Sequence, residues 1–144
     1  MFGGITEDSE VINDLYILKI ETGGQRFEWE KVEKYNGQPP CERWHHFMDY
    51  CEWNNSIIVH GGRNDNKVNS PVLNDLYFLQ MDTLTWIEVK FEQGKIPLAR
   101  FSHACTIFES KIIIFGGVGR KFSMEKSIEI IELNPDSFNI QKLE

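Results

Sequence analysis

Short runs of apolar residues, each followed by turn-forming residues, recur along the whole chain. Most runs have the length of a β-strand, about five to seven residues, and some alternate apolar with charged side chains. No segment places apolar residues at the spacing of an amphipathic helix. The pattern therefore predicts an all-β chain. The predicted strands lie at residues 15–20, 27–32, 46–52, 57–59, 76–81, 86–91, 103–108, 111–115, 128–133 and 140–143.

These runs belong to a repeat in which the same motifs return in the same order. An Arg-x-x-His motif at Arg43 and His46 returns at Arg100 and His103. Each of these openings precedes an apolar strand that ends in a glycine pair, and successive pairs are 58 and then 55 residues apart. Glycine pairs at a period near 50 residues indicate a propeller or a related array. The three pairs begin at Gly3, Gly61 and Gly116.

Each repeat predicts a four-stranded antiparallel unit that is too small to bury a face by itself. Such units are stable when they pack against their neighbours, as they do around the axis of a propeller. Trp29 and Trp86 occupy equivalent positions in the outer strand, and Tyr16 and Tyr77 occupy equivalent positions in the third strand. Large aromatic side chains at equivalent positions are expected to pack between units.

Composition restricts the class of partner. The chain has 144 residues, a net charge of −7 and a pI of about 5.1, so it lacks the basic surface that nucleic acids require. It contains no apolar run long enough to span a membrane, so we expect neither a nucleic-acid nor a membrane partner. Three widely spaced cysteines favour reduced thiols and an intracellular protein, either cytoplasmic or nuclear.

The histidines and cysteines do not form a recognisable metal or catalytic motif. His46 and His103 are repeat-equivalent, which favours a structural hydrogen-bonding role, and neither C-x-x-C nor H-x-x-x-H spacing occurs. Adjacent His45 and His46 would point to opposite faces of a strand. The sequence also lacks a nucleophile-elbow motif and a phosphate-binding loop. We therefore predict that the chain is not an enzyme and that it uses no metal or cofactor.

Taken together, the motifs resemble the kelch repeat, in the branch that has long repeats and an Arg-x-x-His opening. The third repeat opens with Pro-x-x-Arg-x-x-His at residues 97–103, and the second continues with Asn-Asp-Leu-Tyr at 74–77 and Trp-x-x-Val at 86–89. The resemblance implies about two and three-quarter propeller blades: an incomplete one at residues 1–39 and complete ones at 40–96 and 97–144. The third copy departs from the pattern with Lys-Ser-Ile-Glu at 126–129, and His60 replaces a phenylalanine.

The order of strands in such a blade places the long connections on one rim and the short turns on the other. Connections at residues 33–42 and 92–99 and loops at 5–12, 63–73 and 118–126 would share the first rim, where scaffold proteins commonly carry binding residues. An alternative for the two repeat-equivalent arginines, Arg43 and Arg100, is a buried structural role. The candidate partner-binding residues are Arg43, Trp44, His45, Arg63, Asp65, Arg100, Phe101, Ser102, Arg120 and Lys121.

The resemblance implies a non-enzymatic module that binds a protein or peptide across the long-loop rim. The alternative is a regulatory or substrate-recognition propeller within a larger enzyme, such as a kelch-containing phosphatase or a ubiquitin-ligase adaptor. Related propellers close with five to seven blades, so we interpret the chain as part of a longer propeller. Copies of the chain are the other possible source of the missing blades, through self-association at open blade edges.

Overall fold

The computed structural model describes residues 1–91 and 96–133, which form twelve β-strands and one 3-10 turn at Glu52–Asn54. The all-β prediction is confirmed. None of the described residues belongs to a helix long and apolar enough to cross a membrane. The strands are β1 (Phe2–Ile5), β2 (Val11–Ile20), β3 (Phe27–Lys31), β4 (Phe47–Cys51), β5 (Ser56–His60), β6 (Leu76–Gln80), β7 (Thr85–Glu88), β8 (Arg100–Phe101), β9 (Ala104–Phe108), β10 (Lys111–Phe115), β11 (Val118–Gly119) and β12 (Ile128–Glu132).

The strands pair into consecutive antiparallel sheets. We call β1, β2 and β3 the first blade, and β4 to β7, which form a four-stranded sheet in chain order, the second blade. In the third blade, β10 lies between β9 and β12, and β8 pairs separately with β11. The predicted strand at residues 140–143 lies outside the described residues.

Several predicted boundaries were wrong. The loop predicted at residues 5–12 covers only residues 6–10, because β1 continues to Ile5 and β2 begins at Val11. The polar residues Asn13 and Asp14 hide this early start in the apolar pattern. Within the predicted loop at 118–126, β11 pairs with β8, and two-residue strands have no periodicity that a sequence could reveal. The strand predicted at residues 46–52 is shorter at both ends, because β4 runs from Phe47 to Cys51 and Glu52 begins the 3-10 turn, which is followed by Asn55 with φ 49°.

The apolar cores lie between neighbouring blades. Between the first and second blades, Phe2 packs against Trp86, with ring centroids 5.0 Å apart. Between the second and third blades, buried side chains of β5 and β6 meet those of β10, among them Phe78 and Ile114. The prediction of packing between units is confirmed for Trp86. For Trp29 it stays a prediction, because no described residue covers that face of the first blade, where Trp29 is 54% exposed.

The glycine pairs form the joints between blades. Gly3 and Gly61 have φ near 60°, and a Cβ on either would lie within 2.7 Å of a main-chain oxygen of the next blade, that of Arg43 or Arg100. The second glycine of each pair donates its N–H to that oxygen, at 2.8 Å from Gly4 and 2.9 Å from Gly62. The pairs therefore let two backbones meet where a side chain would keep them apart.

Only part of the connection at residues 33–42 lies on the long-loop rim. Asn36 lies beside Thr85 in a parallel bridge, and the N–H of Trp86 donates to the Asn36 carbonyl at 2.9 Å. Gly37 lies so close that a Cβ there would be 2.3 Å from the Trp86 carbonyl oxygen. The segment thus runs along β7 and covers its outer edge, which corrects the predicted position of its first half.

Candidate partner-binding rim

Three of the ten candidate residues are buried: Arg43, Arg100 and Phe101. Arg43 is fully buried, and its guanidinium binds the Asp75 carboxylate through two hydrogen bonds of 2.6 and 2.8 Å. It also donates to the carbonyl oxygens of Cys41 and Gly61, each at 3.0 Å. A buried charge needs this kind of complete pairing. Arg43 therefore links the start of the second blade to its glycine pair and to Asp75, the residue before β6.

Arg100 has the equivalent role in the third blade but uses a different carboxylate. It is also fully buried, and it donates to the Gly116 carbonyl at 3.0 Å and to the Ser127 hydroxyl at 3.1 Å. Glu129 pairs with its guanidinium at 2.9 Å. Ser127 stands where the second blade has Asp75, and Glu129 stands two residues later. The departure from the repeat at residues 126–129 therefore moves the carboxylate without removing the ion pair.

Two residues after each of the buried arginines, Arg43 and Arg100, the backbone adopts the same unusual conformation. His45 has φ 52° and Ser102 has φ 53°, in the left-handed region that few side chains favour. The expectation that His45 and His46 point to opposite faces of a strand is therefore wrong, because β4 begins only at Phe47. The Ser102 N–H donates to the His45 carbonyl at 2.9 Å, and its hydroxyl lies 2.7 Å from His45 Nδ1. These contacts join the second and third blades at the rim.

Beside this junction, the Arg63 guanidinium lies among three aromatic rings. Its central carbon is 5.8 Å from the ring centroid of Trp44, 5.7 Å from that of Phe101 and 5.1 Å from that of Phe122. The rings come from both blades, since Trp44 belongs to the second and the two phenylalanines to the third. Cation–π contacts of this kind stabilise a guanidinium at a surface while leaving its edge free to hydrogen-bond.

Asp65 fixes the position of the same guanidinium. One carboxylate oxygen accepts from Arg63 Nε at 2.5 Å, and the other accepts from the Trp44 indole N–H at 3.0 Å. Arg63 is also held by two backbone hydrogen bonds to Trp44, of 2.9 and 3.0 Å. The result is an ordered arrangement that is still partly open to solvent. We call it the rim cluster: Trp44, His45, Arg63, Asp65, Phe101, Ser102 and Phe122.

The structure thus brings six of the ten candidate residues together, and it adds Phe122, which the sequence analysis did not select. Phe122 is 59% exposed, and it lies in the loop that carries Arg120 and Lys121. Both of those basic side chains are exposed. An aromatic residue next to two cations in a loop matches the composition of interface hot spots and could have drawn attention to this position.

Comparison with known proteins agrees with this architecture. The family model described as the KLHDC2/KLHL20/DRC7 kelch-repeats domain matches residues 1–144. Host cell factor 1 of Homo sapiens is 33% identical over 128 residues, which cover 81% of this chain and 6% of that protein. Dynein regulatory complex subunit 7 of Chlamydomonas reinhardtii is 33% identical over 118 residues, which cover 81% of this chain and 9% of that protein.

A third relative with a similar segment is named as an enzyme. It is a probable serine/threonine-protein kinase of Dictyostelium discoideum, 32% identical over 120 residues that cover 83% of this chain and 8% of that protein. The chain spans less than a tenth of the length of each of these three relatives. The family match over every residue, together with repeated antiparallel blades joined at glycine pairs, shows that this chain belongs to the kelch-repeat family.

Proposed function

We propose that this chain is a non-enzymatic interaction module that binds a protein or peptide through the long-loop rim. Kelch-repeat domains typically mediate protein–protein interactions, and the rim cluster supplies a specific surface for one. The observation that carries the proposal is the position of Arg63, held among three aromatic rings from two blades and still partly exposed. Arginine and aromatic side chains held in a fixed geometry at the surface are the usual anchors of binding interfaces.

The chemistry of the rim also defines the partner that would fit. Trp44 and Phe122 offer apolar surface, whereas Arg120 and Lys121 add positive charge to a chain that is acidic overall. An extended segment with an apolar side chain next to a carboxylate would complement both features. The partner in this proposal is therefore an acidic peptide or loop of another protein, and the module acts inside the cell.

Photo-crosslinking from the rim tests this proposal. A chain with benzoylphenylalanine in place of Phe122 is irradiated in an extract of the cells that produce it, and adducts are identified by mass spectrometry. The matched control carries the same residue in place of Trp53, which is 40% exposed in the short turn between β4 and β5. We expect one discrete adduct from position 122, absent from position 53, and reduced when Arg63→Ala is added. Equal labelling from both positions would contradict a rim site.

The kinase relative favours one alternative, in which the propeller regulates or presents substrates to an enzyme in the same protein. The crosslinking experiment separates the two when it is repeated in the full-length protein. An adduct within the same polypeptide, mapped to a catalytic domain, would support the alternative. An adduct with a separate protein would support the interaction module.

A further inference from the structure

The two interfaces between blades differ at two of three equivalent positions. Between the first and second blades, these positions hold Phe2, His46 and Met48, and the His46 ring packs edge-on against Phe2 at 5.8 Å. Between the second and third blades, the equivalent residues are His60, His103 and Cys105. Two apolar side chains of the first interface have thus been replaced by histidine and cysteine in the second. Both replacements introduce groups that bind metals.

The fold brings these three groups together. His60 Nδ1 lies 3.0 Å from His103 Nε2, and the two rings meet edge to face. A ligand atom from each of His60, His103 and Cys105 lies within 4.8 Å of the other two. In a tetrahedral site with bonds of about 2.0–2.3 Å, ligand atoms are roughly 3.3–3.8 Å apart. Small rotations of the side chains would therefore place all three around one ion.

One ring nitrogen of each histidine in the pair makes no hydrogen bond to the described residues. Nε2 of His60 and Nδ1 of His103 are buried and have no hydrogen-bond partner among residues 1–91 and 96–133. His60 itself is fully buried. A buried polar atom without a partner costs free energy. The repeat-equivalent His46 also has a buried Nδ1 without a partner among these residues, so the feature that distinguishes the second interface is His60, where the other two blades have phenylalanine.

We propose that His60, His103 and Cys105 form a binding site for one soft or borderline transition-metal ion, of the Zn²⁺ or Cu⁺ type, at the joint between the second and third blades. Two imidazoles and a thiolate are the ligands that these ions prefer. The ligands are 43 and 45 residues apart in sequence, counted from His60 to His103 and to Cys105, so no local motif could reveal them. Such an ion would lock the two blades together.

Metal titration of the chelator-treated chain tests the site. Zn²⁺ is added in competition with a chromogenic indicator, Cu⁺ is added without oxygen, and Co²⁺ serves as the spectroscopic probe. We expect one equivalent of Zn²⁺ or Cu⁺ to bind and to raise the melting temperature. We also expect Co²⁺ to give a thiolate-to-metal charge-transfer band. Absence of stoichiometric binding by both Zn²⁺ and Cu⁺ would overturn the proposal.

The repeat provides variants that should keep the fold. His60→Phe and Cys105→Met restore the residues found at the other interface, and each should weaken Zn²⁺ binding on the order of 100-fold, since a methionine thioether is a ligand for Cu⁺ but a poor one for Zn²⁺. Cys105→Met should also remove the charge-transfer band. Cys41→Ser, outside the cluster, is the matched control and should bind like the unmodified chain. Persistence of the band in Cys105→Met, or its loss in Cys41→Ser, would place the metal elsewhere and refute the site.

Discussion

The two fully buried arginines show how a single residue position supports this fold. Arg43 and Arg100 have no exposed surface, and each depends on one carboxylate, Asp75 or Glu129. An arginine stays charged at any ordinary pH, so removal of its partner leaves an uncompensated charge in the interior. The first blade has the same aspartate position at Asp14, but there the carboxylate pairs with the exposed side chain of Lys31.

Asp75→Asn should therefore destabilise the chain much more than Asp14→Asn. We expect the free energy of unfolding to fall by about 3 kcal/mol for Asp75→Asn, since the charge of Arg43 stays buried without its counterion. The loss for Asp14→Asn should be below about 1 kcal/mol, because the pair it breaks lies in solvent. Urea unfolding followed by tryptophan fluorescence measures both. Similar losses from the two substitutions would contradict a structural role for the Arg43–Asp75 pair.

Among the structural elements, the glycine pair carries the contact between blades. Gly61 and Gly116 have nearly the same backbone conformation, with φ 60° and 67°. A Cβ on Gly61 would lie 2.6 Å from the Arg100 carbonyl oxygen, whereas a Cβ on Gly116 would meet no described atom within 4 Å. Both positions therefore need a residue that accepts positive φ, but only Gly61 also lacks space for a side chain.

Gly61→Ala and Gly116→Ala should differ in their loss of unfolding free energy only by the cost of the steric clash at position 61. Alanine in the left-handed region costs about 1 kcal/mol at either site. Gly61→Ala should cost about 2 kcal/mol more, because the methyl group displaces the Arg100 carbonyl and breaks its hydrogen bond with Gly62. Thermal unfolding monitored by circular dichroism gives the comparison. If both variants lose the same stability, the glycine pair is needed only for its backbone conformation.

The elements that recur were predictable from the sequence, and those that occur once were not. The Arg-x-x-His opening and the glycine pair appear at regular intervals, so their strands could be placed within a few residues. The two-residue strands β8 and β11 gave no periodic signal. The rim cluster also depends on Arg63 meeting Phe122, 59 residues later in the chain. The cluster of His60, His103 and Cys105 is likewise assembled by packing between blades, which local spacing does not encode.

At the scale of the whole molecule, two apolar faces remain uncovered in the described structure. On the first blade, Leu18 pairs with Trp29 and Ile20 pairs with Phe27 across β2 and β3, and all four side chains are exposed. These residues occupy the face turned away from the second blade, since Phe2 and Leu15 occupy the opposite one. Exposed faces of this kind promote association.

The third blade has the complementary face. Phe115 pairs with Ile128 across β10 and β12, and Ile130 lies on the same face, while Ile112 and Ile114 are buried against the second blade. In a propeller, this face of one blade packs against the Trp29-type face of the next. Association between copies of the chain is therefore expected to be head to tail, with unlike faces in contact.

Light scattering on two surface variants distinguishes this geometry from symmetric pairing. We expect the mass of the unmodified chain to rise with concentration, because each copy has one face of each kind. Trp29→Glu should be monomeric, and so should Ile130→Glu, since each variant lacks one of the two faces. An equimolar mixture of the variants should form a dimer and nothing larger, because it retains one intact pair of faces. Dimerisation of either variant alone would mean that like faces associate, and a constant monomer mass for the unmodified chain would mean that neither face drives assembly.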